Sequence, residues 1–571
     1  MNATSTPRDV DAGLARWVLA RTGSQRLARA AEAASAAEGE GHACAVLHAF
    51  DAAELDELRR HAWVGDGEAF SPFVLDAAQR RFWLWRNWRH EQRLADALRA
   101  RCAARGTRPP EATVAAAIDT LFAGSDARRT ADQRAAVAAA PGSRLFVLTG
   151  GPGTGKTTTV LRMLLMLLQQ ASACGLPERP SIALAAPTGK AARHLAGAIA
   201  RGKEELAARL PADSGFATLL AAIPHEQAAT LHRLLGYRPQ SNGFAYGARQ
   251  PLPADIVVVD EASMVDLATM RQLVDALAPS AVLILLGDPD QLASVDAGSV
   301  LADVVAGAQH AGSPLHGHVV ALRETWRAAG PLQGAIAAIR DGHGAWARRA
   351  DATSGVRLLE AAEARALHAR IDAWLDRHAS AQARLAGPID VDAAFAIVRE
   401  AQVLCALRDG PFGAAGANAR IVAALAARHG FDGTHAWHHG RPVVVTRNDY
   451  VHGLFNGDLG IALHGDGGLR VWFPASEAGG EWRSFPPSVL VACETAWAIT
   501  IHRSQGSEYG HVAVVLPPDA QHRLLSRELL YTAVSRARHD VELWATEDAL
   551  QAALARRVER HGGLRERLAA P

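Results

Sequence analysis

Residues 150 to 157 read GGPGTGKT, a match to G-x-x-x-x-G-K-[ST], and their flanks leave few folds open. An apolar run, Leu145 to Leu148, precedes the glycines, and a Leu/Met-rich stretch, Val160 to Leu168, follows them. Strand, glycine loop and helix is the order in which backbone N–H groups turn inward around a polyphosphate, with the positive end of the helix behind them. Lysine usage sharpens the reading. Of 60 basic residues only three are lysine, and two of these, Lys156 and Lys190, stand in glycine-containing loops. A compact ammonium fits a phosphate cradle as a point charge, and the wide guanidinium fork does not. Gly150, Gly151, Pro152, Gly153, Thr154, Gly155, Lys156, Thr157 and Thr158 are therefore expected to hold a nucleotide.

The chain of 571 residues is too long for one core and is expected to divide into roughly three or four domains. A net charge of +1 gives no global field, so any nucleic-acid partner must be held by a local groove. Cys44, Cys102, Cys174, Cys405 and Cys493 are scattered without a C-x-x-C pair, which argues against zinc, iron–sulfur or a disulfide framework. The N-terminal MNATSTPRDVDAG has no apolar core, and no stretch reaches the ~18 apolar residues of a membrane span. A cytoplasmic protein without membrane contact is expected.

Residues 1 to 125 read as Ala/Leu/Arg-rich helices at 3.6-residue spacing, a helical N-terminal domain. Within it RRFWLWRNWRHEQRLADALRA, 80 to 100, crowds aromatics with arginines, either as helix core or as a surface that docks a protein or stacks bases. From 126 to 345 short apolar runs alternate with helices: Leu145 to Leu148, Ile182 to Ala186, Ile256 to Val259 and Val282 to Leu286 predict strands buried on both faces of a parallel sheet. A second α/β region takes up 346 to 435 and 491 to 571, with strands at Ala496 to Ile501, His511 to Leu516 and Val541 to Trp544. Between its halves, 436 to 490 carries short strands separated by NGD and HGDGG turns, which predict a small antiparallel barrel.

The loops after the predicted strands carry the chemistry, as expected where ligands bind beyond the carboxyl ends of parallel strands. VVVDEASMVD puts Asp260 and Glu261 at a strand end, where Asp260 can hold Mg²⁺ through water and Glu261 can orient and deprotonate the attacking water. In LLGDPDQLASVDAGS, Asp288 and Gln291 project from a turn, and Gln291 can hydrogen-bond a γ-phosphate or its water. The amide of Gln133 in TADQRAAV donates and accepts at once, matching the N6/N7 edge of adenine. APTGKAARHL offers Thr188 and Lys190, and TLHRLLG offers Thr230 and His232, to a nucleotide or a nucleic-acid phosphate.

Taken in order, GGPGTGKT, APTGKAA, TLHRLLG, VVVDEASMVD, LLGDPDQLASVDAGS, LRETWR, AITIHRSQGSEY and LYTAVSRAR resemble the motifs of superfamily 1 helicases. LCALRDGPFGAAGANAR, RPVVVTRNDYVHGLFNGDLG and FWLWRNWRHE resemble the RecD family, the alpha subunits of exodeoxyribonuclease V. The resemblance runs from about residue 75 to 548. It implies two RecA-like P-loop domains with ATP between them, single-stranded DNA across their tops and an SH3-like barrel insertion. It also implies Mg²⁺ at Thr157 and Asp260, with Gln133 reading adenine and Gln291 coupling hydrolysis to movement. Arg327 and Arg536 match the family's arginines that reach the γ-phosphate. His502, Ser504, Gln505, Gly506 and Glu508 match residues that contact DNA or relay between sites; Arg503 stands where the family usually has lysine, and DNA contact is expected there too. The implied activity is 5′-to-3′ ATP-dependent translocation on single-stranded DNA from duplex ends, in recombination and repair, with RecB- and RecC-like beta and gamma subunits. A free-standing RecD-like helicase is the alternative.

Overall fold

The computed structural model describes residues 8–104, 106–211, 214–225, 228–241, 243–326, 330–344, 355–449, 451–465, 467–475, 480–490 and 492–570. The N-terminal region is helical as expected, with Asp9–Thr22, Gln25–Gly39, Ala52–Arg60 and the long helix Trp85–Ala103. These helices enclose a sheet the sequence did not announce. Strands β1 (Ala45–Val46), β2 (Val64–Gly65), β3 (Phe73–Asp76) and β4 (Arg81–Leu84) pair in the order β1-β4-β3-β2. RFWL therefore runs as a strand before the helix begins, because Phe82 and Trp83 alternate faces and fill two different cores.

The apolar runs around the glycine loop lie in a six-stranded parallel sheet. It comprises β5 (Leu145–Gly150), β6 (Ile182–Ala186), β7 (Ala228–Thr230), β10 (Ile256–Val259), β11 (Val282–Gly287) and β12 (Val319–Leu322), in the order β12-β5-β11-β10-β6-β7. A two-stranded hairpin, β8 (Tyr237–Arg238) and β9 (Gly243–Phe244), stands apart from it. Both faces of the large sheet are covered: Phe146, Val258 and Ile284 point into one core, Val147, Val257 and Leu285 into another. That two-sided burial is why the strands read as unbroken apolar runs.

A second parallel sheet starts with β13 (Val356–Leu359) and β14 (Ala401–Cys405). The chain then leaves it for five antiparallel strands, β15 (Pro442–Val445), β16 (Leu459–Gly465), β17 (Gly468–Phe473), β18 (Arg483–Phe485) and β19 (Cys493–Thr495), ordered β18-β17-β16-β15-β19. Among the described residues β18 and β19 do not pair with each other, so the ladder alone does not close a barrel. The chain returns as β20 (Ala498–Thr500), β21 (Tyr509–Val515) and β22 (Ala537–Trp544), giving the order β13-β22-β21-β14-β20.

The tail then doubles back. Leu564 and Leu568 of helix Leu564–Ala569 join Leu94, Leu98 and Val304 in the core behind the first large sheet, each contributing ~1.5–3 kcal/mol of burial. Behind them Glu91 is sealed from solvent and accepts from the Gly563 N–H and from Trp83 Nε1. Burial lifts its carboxyl to about 7. No helix among the described residues is long and apolar enough to cross a membrane.

Candidate functional site

The carboxyl ends of β5, β6, β10, β11 and β12 deliver the chemistry-bearing loops to one edge of the first sheet. The glycine loop closes onto helix Lys156–Gln169 through Gly155, whose φ is +83°. A Cβ there would lie 2.7 Å from Gln133 Nε2, so glycine serves both the left-handed turn and the approach of the glutamine. Gln133 is buried and donates to the Thr154 carbonyl at 3.4 Å. Lys156 Nζ donates to the carbonyls of Gly150 (2.6 Å) and Gly151 (3.2 Å).

Beyond β10, Asp260 is buried and accepts from the Glu261 N–H at 2.8 Å. Glu261 has φ +52°, a left-handed conformation that costs a non-glycine residue ~1–2 kcal/mol and persists only where the surrounding structure over-determines it. Burial raises both carboxyl groups, and Asp260 adds repulsion at Glu261, while the Lys156 ammonium pulls both back down. A buried carboxylate whose charge is balanced by a nearby ammonium is a hard-oxygen donor of the kind Mg²⁺ takes. Among the described residues no group of three or more His, Cys, Asp or Glu could cage a metal. A cation at Asp260 therefore needs phosphate oxygens and water as well.

The second sheet closes the site from the far side. Arg536 is buried and sends Nη2 to Gln291 Oε1 at 3.0 Å, while Nε holds the Thr532 carbonyl at 3.1 Å. Its charge also lowers Glu261. Tyr531 Oη donates to Asp288 Oδ2 at 2.9 Å, and Asp288 in turn accepts from Gln291 Nε2 at 3.1 Å. Arg327 lies outside the described residues.

The expected DNA residues fall into two clefts and a buried remainder. Thr188, His232, Asp266, Val295 and Gln505 line a cleft of ≈ 190 Å³ between the two sheets. Arg408, Asn418, Arg441, Thr500 and Arg503 line a larger one, ≈ 800 Å³, on the second sheet. Arg503 is held there by Glu494 at 2.6 Å, and Glu494 also binds Arg408. The hydroxyls of Thr188 and Thr230 cap their helices, accepting from Ala191 and Arg233. His232 is cupped by Tyr237 and Phe244 of the β8–β9 hairpin. Lys190 Nζ reaches the Arg503 carbonyl at 3.4 Å, and burial, with Arg536 adding repulsion, pulls its ammonium down to about 7. Ser504 has no exposed surface and donates to the Ile501 carbonyl, and burial pushes His502 below its usual range.

Sequence reasoning missed Trp326. It stands one residue before Arg327 in LRETWR, its N–H donates to the Gly153 carbonyl at 2.8 Å, and Arg129 stacks over its ring at 4.7 Å. With 41% of its surface exposed, it presents an open aromatic face next to Gly155, which Gln133 also approaches. The signal is the aromatic beside the arginine in LRETWR. Tyr531, from LYTAVSRAR, was missed in the same way.

This arrangement has known counterparts. Residues 133–297 match the AAA domain family, and residues 495–543 match the UvrD-like helicase C-terminal domain. The RecBCD enzyme subunit RecD of Mycobacterium tuberculosis is 42% identical over 76% of this chain and 73% of its own length. That of Mycolicibacterium smegmatis is 38% identical over 87% and 84%. The ATP-dependent RecD2 DNA helicase of Deinococcus radiodurans is 33% identical over 75% of this chain but 51% of its own length. Among solved structures, the Pif1 helicase from Candida albicans covers 76% of this chain and 97% of its own at 16% identity and a TM-score of 0.37, a distant likeness. With two parallel sheets facing one nucleotide loop and relatives of this similarity and coverage, the chain belongs to the RecD family of ATP-dependent superfamily 1 DNA helicases.

Proposed function

We propose that this chain is the alpha subunit of a three-subunit helicase–nuclease and moves 5′ to 3′ along single-stranded DNA from duplex ends. Residues 126–345 would form one motor half, 346–435 with 491–571 the other, and 436–490 the small SH3-like barrel between them. The observation that carries the motor part of this reading is the bond from Arg536 of the second half to Gln291 of the first. Hydrolysis requires both halves together, so each turnover closes and reopens the cleft and can step the strand across the top. Lys156 and the loop N–H groups would hold the ATP phosphates, Thr157 and Asp260 would hold Mg²⁺, and Glu261 would take the proton of the attacking water. Mg²⁺ would neutralise charge developing on the phosphates. Unwinding of a duplex with a 5′ tail, and not of one with a 3′ tail, tests the polarity.

The RecD relatives support the alpha-subunit reading over a free-standing one, because they are 42% and 38% identical to this chain and the RecD2 relative 33%. RecB- and RecC-like partners follow from that reading. We place their docking on the N-terminal 125 residues. Trp83 is core, with 1% of its surface exposed, but Phe70 is 76% exposed, edge-on to Trp85, and Trp17 is 49% exposed. Aromatics of this kind anchor interfaces. Phe70→Asp with Trp17→Asp is expected to abolish co-purification with partners while DNA-stimulated ATPase stays within about 2-fold of wild type, the usual tolerance of surface changes. Undiminished complex formation would place the docking surface elsewhere, on the inserted sheet.

Gln133→Ala is expected to erode the preference for ATP over GTP more than it slows hydrolysis. One base-edge recognition is worth about 1–3 kcal/mol, roughly 5- to 150-fold in selectivity. Competition between the two nucleotides measures it, and unchanged selectivity would remove Gln133 from the adenine pocket.

A further inference from the structure

We infer that Arg560 is a positioning residue for coupling: it ties the loop after Gln291 to the N-terminal region, so that closure at the nucleotide moves the DNA-side cleft with it. The inference rests on the helicase reading above.

The loop 292–299 has no regular structure of its own, yet it spans from the nucleotide to the DNA-side cleft. At its start the Leu292 N–H donates to Thr532 Oγ1 (2.9 Å), and the Leu292 carbonyl accepts from Gln505 Nε2 (3.2 Å). Farther on Val295, 78% exposed, and Asp296 face the cleft that Thr188 and Gln505 also line. Such a segment transmits motion only if its far end is held. Two bonds hold it. Arg560 Nη2 donates to the Ser294 carbonyl at 3.1 Å, and the Gly298 N–H donates to the Gly41 carbonyl at 2.9 Å. The same guanidinium sends Nη1 to the Glu40 carbonyl at 2.7 Å, so one side chain clamps loop and N-terminal turn together.

The clamp is built on both sides. Ser294 Oγ donates to the Asp296 and Gly298 carbonyls, each at 3.0 Å, which folds the loop on itself. Next to Arg560, His561 stacks on His42 with centroids 4.7 Å apart, the His561 N–H donates to His42 Nδ1 at 2.9 Å, and the Ala43 N–H donates to the His561 carbonyl at 2.8 Å. Gly41, at φ +85°, leaves the space the guanidinium occupies: a Cβ there would fall 1.1 Å from Nη1. Arg560 also acts electrostatically on His502 of the second sheet. It thus stands among the N-terminal turn, the loop of the first motor half and the DNA-side residues of the second. A partner docked on the N-terminal region would reach the motor by this route.

Arg560→Ala, Arg560→Lys and Gly41→Ser in the full chain, with whatever partners co-purify, test it against wild type. The readings are kcat and KM for ATP with single-stranded DNA, and ATP consumed per base pair unwound on a 5′-tailed duplex. Arg560→Ala is expected to leave kcat and KM within about 3-fold and raise ATP per base pair about 5-fold or more, on the scale of coupling residues. Arg560→Lys should restore most of the coupling, since an ammonium can donate to both carbonyls, and Gly41→Ser should reproduce the alanine phenotype by displacing the guanidinium. Wild-type coupling in Arg560→Ala would overturn the inference. So would a proportional loss of hydrolysis and unwinding with a lowered Tm that lysine does not rescue, the mark of a structural role. A wild-type chain without DNA-stimulated hydrolysis would overturn the helicase reading itself.

Discussion

Lys156→Gln is expected to bring DNA-stimulated ATP hydrolysis down by at least ~10²–10³-fold, the scale on which one preorganised donor at a developing charge acts. The fold should survive. The ammonium's partners are the carbonyls of Gly150 and Gly151, on its own loop, and a glutamine amide of similar length can donate to them. The fixed charge is what the amide cannot supply. Lys156 holds down the carboxyl groups of both Asp260 and Glu261 against the lift of burial. Without it both rise further, so the variant loses the phosphate charge and also weakens the ionised forms that would hold Mg²⁺ and take a proton. Two measurements follow: steady-state hydrolysis with single-stranded DNA, and Mg²⁺ dependence of nucleotide binding, which should shift to higher cation concentration. Hydrolysis at the wild-type rate with an unchanged Mg²⁺ dependence would remove Lys156 from the phosphate site.

How legible a segment was depended on whether its environment leaves a periodic trace. Ile182–Ala186 and Ile256–Val259 begin and end where their apolar runs do, because burial on both faces leaves no polar position to blur the ends. Val282–Gly287 and Leu145–Gly150 run one and two residues past theirs, into the glycines the loops need. The N-terminal sheet left no such trace. Its strands are two to four residues long, and β1 finds its partner at Phe82, far along the chain. The nucleotide loop and the carboxylates were readable as motifs. Trp326 stood inside the LRETWR motif, but its backbone bond to Gly153 and its stacking with Arg129 appear only in three dimensions. Arg560 was invisible for a related reason: its acceptors are the carbonyls of Glu40 and Ser294, which any residue type would provide.

Arg536→Ala is expected to lower kcat by ~10³-fold or more, as for other arginines supplied across a cleft to a transferring phosphoryl group, with less than about 10-fold effect on ATP binding. The asymmetry follows from where the side chain is. Arg536 belongs to the second motor half and meets the first at Gln291 Oε1, so its contribution depends on the halves being closed. On the proposed function, closure is stabilised most when charge spreads over the γ-phosphate oxygens, and the guanidinium 3.0 Å from Gln291 would be the group that meets it. Loss of the side chain also strips a donor from the Thr532 carbonyl and from Gln291, so some loss of stability accompanies the kinetic defect. Melting with and without nucleotide separates the two: a stability defect lowers Tm in both conditions, and a catalytic one leaves the nucleotide-induced shift intact. Arg536→Lys keeps the charge but not the fork and should fall between. Arg327→Ala is expected to behave as Arg536→Ala does, since the two would share the same charge. Equal losses in binding and rate for Arg536→Ala would make it a clamp on bound ATP rather than on the transition state, and movement would then need another trigger than hydrolysis across this contact.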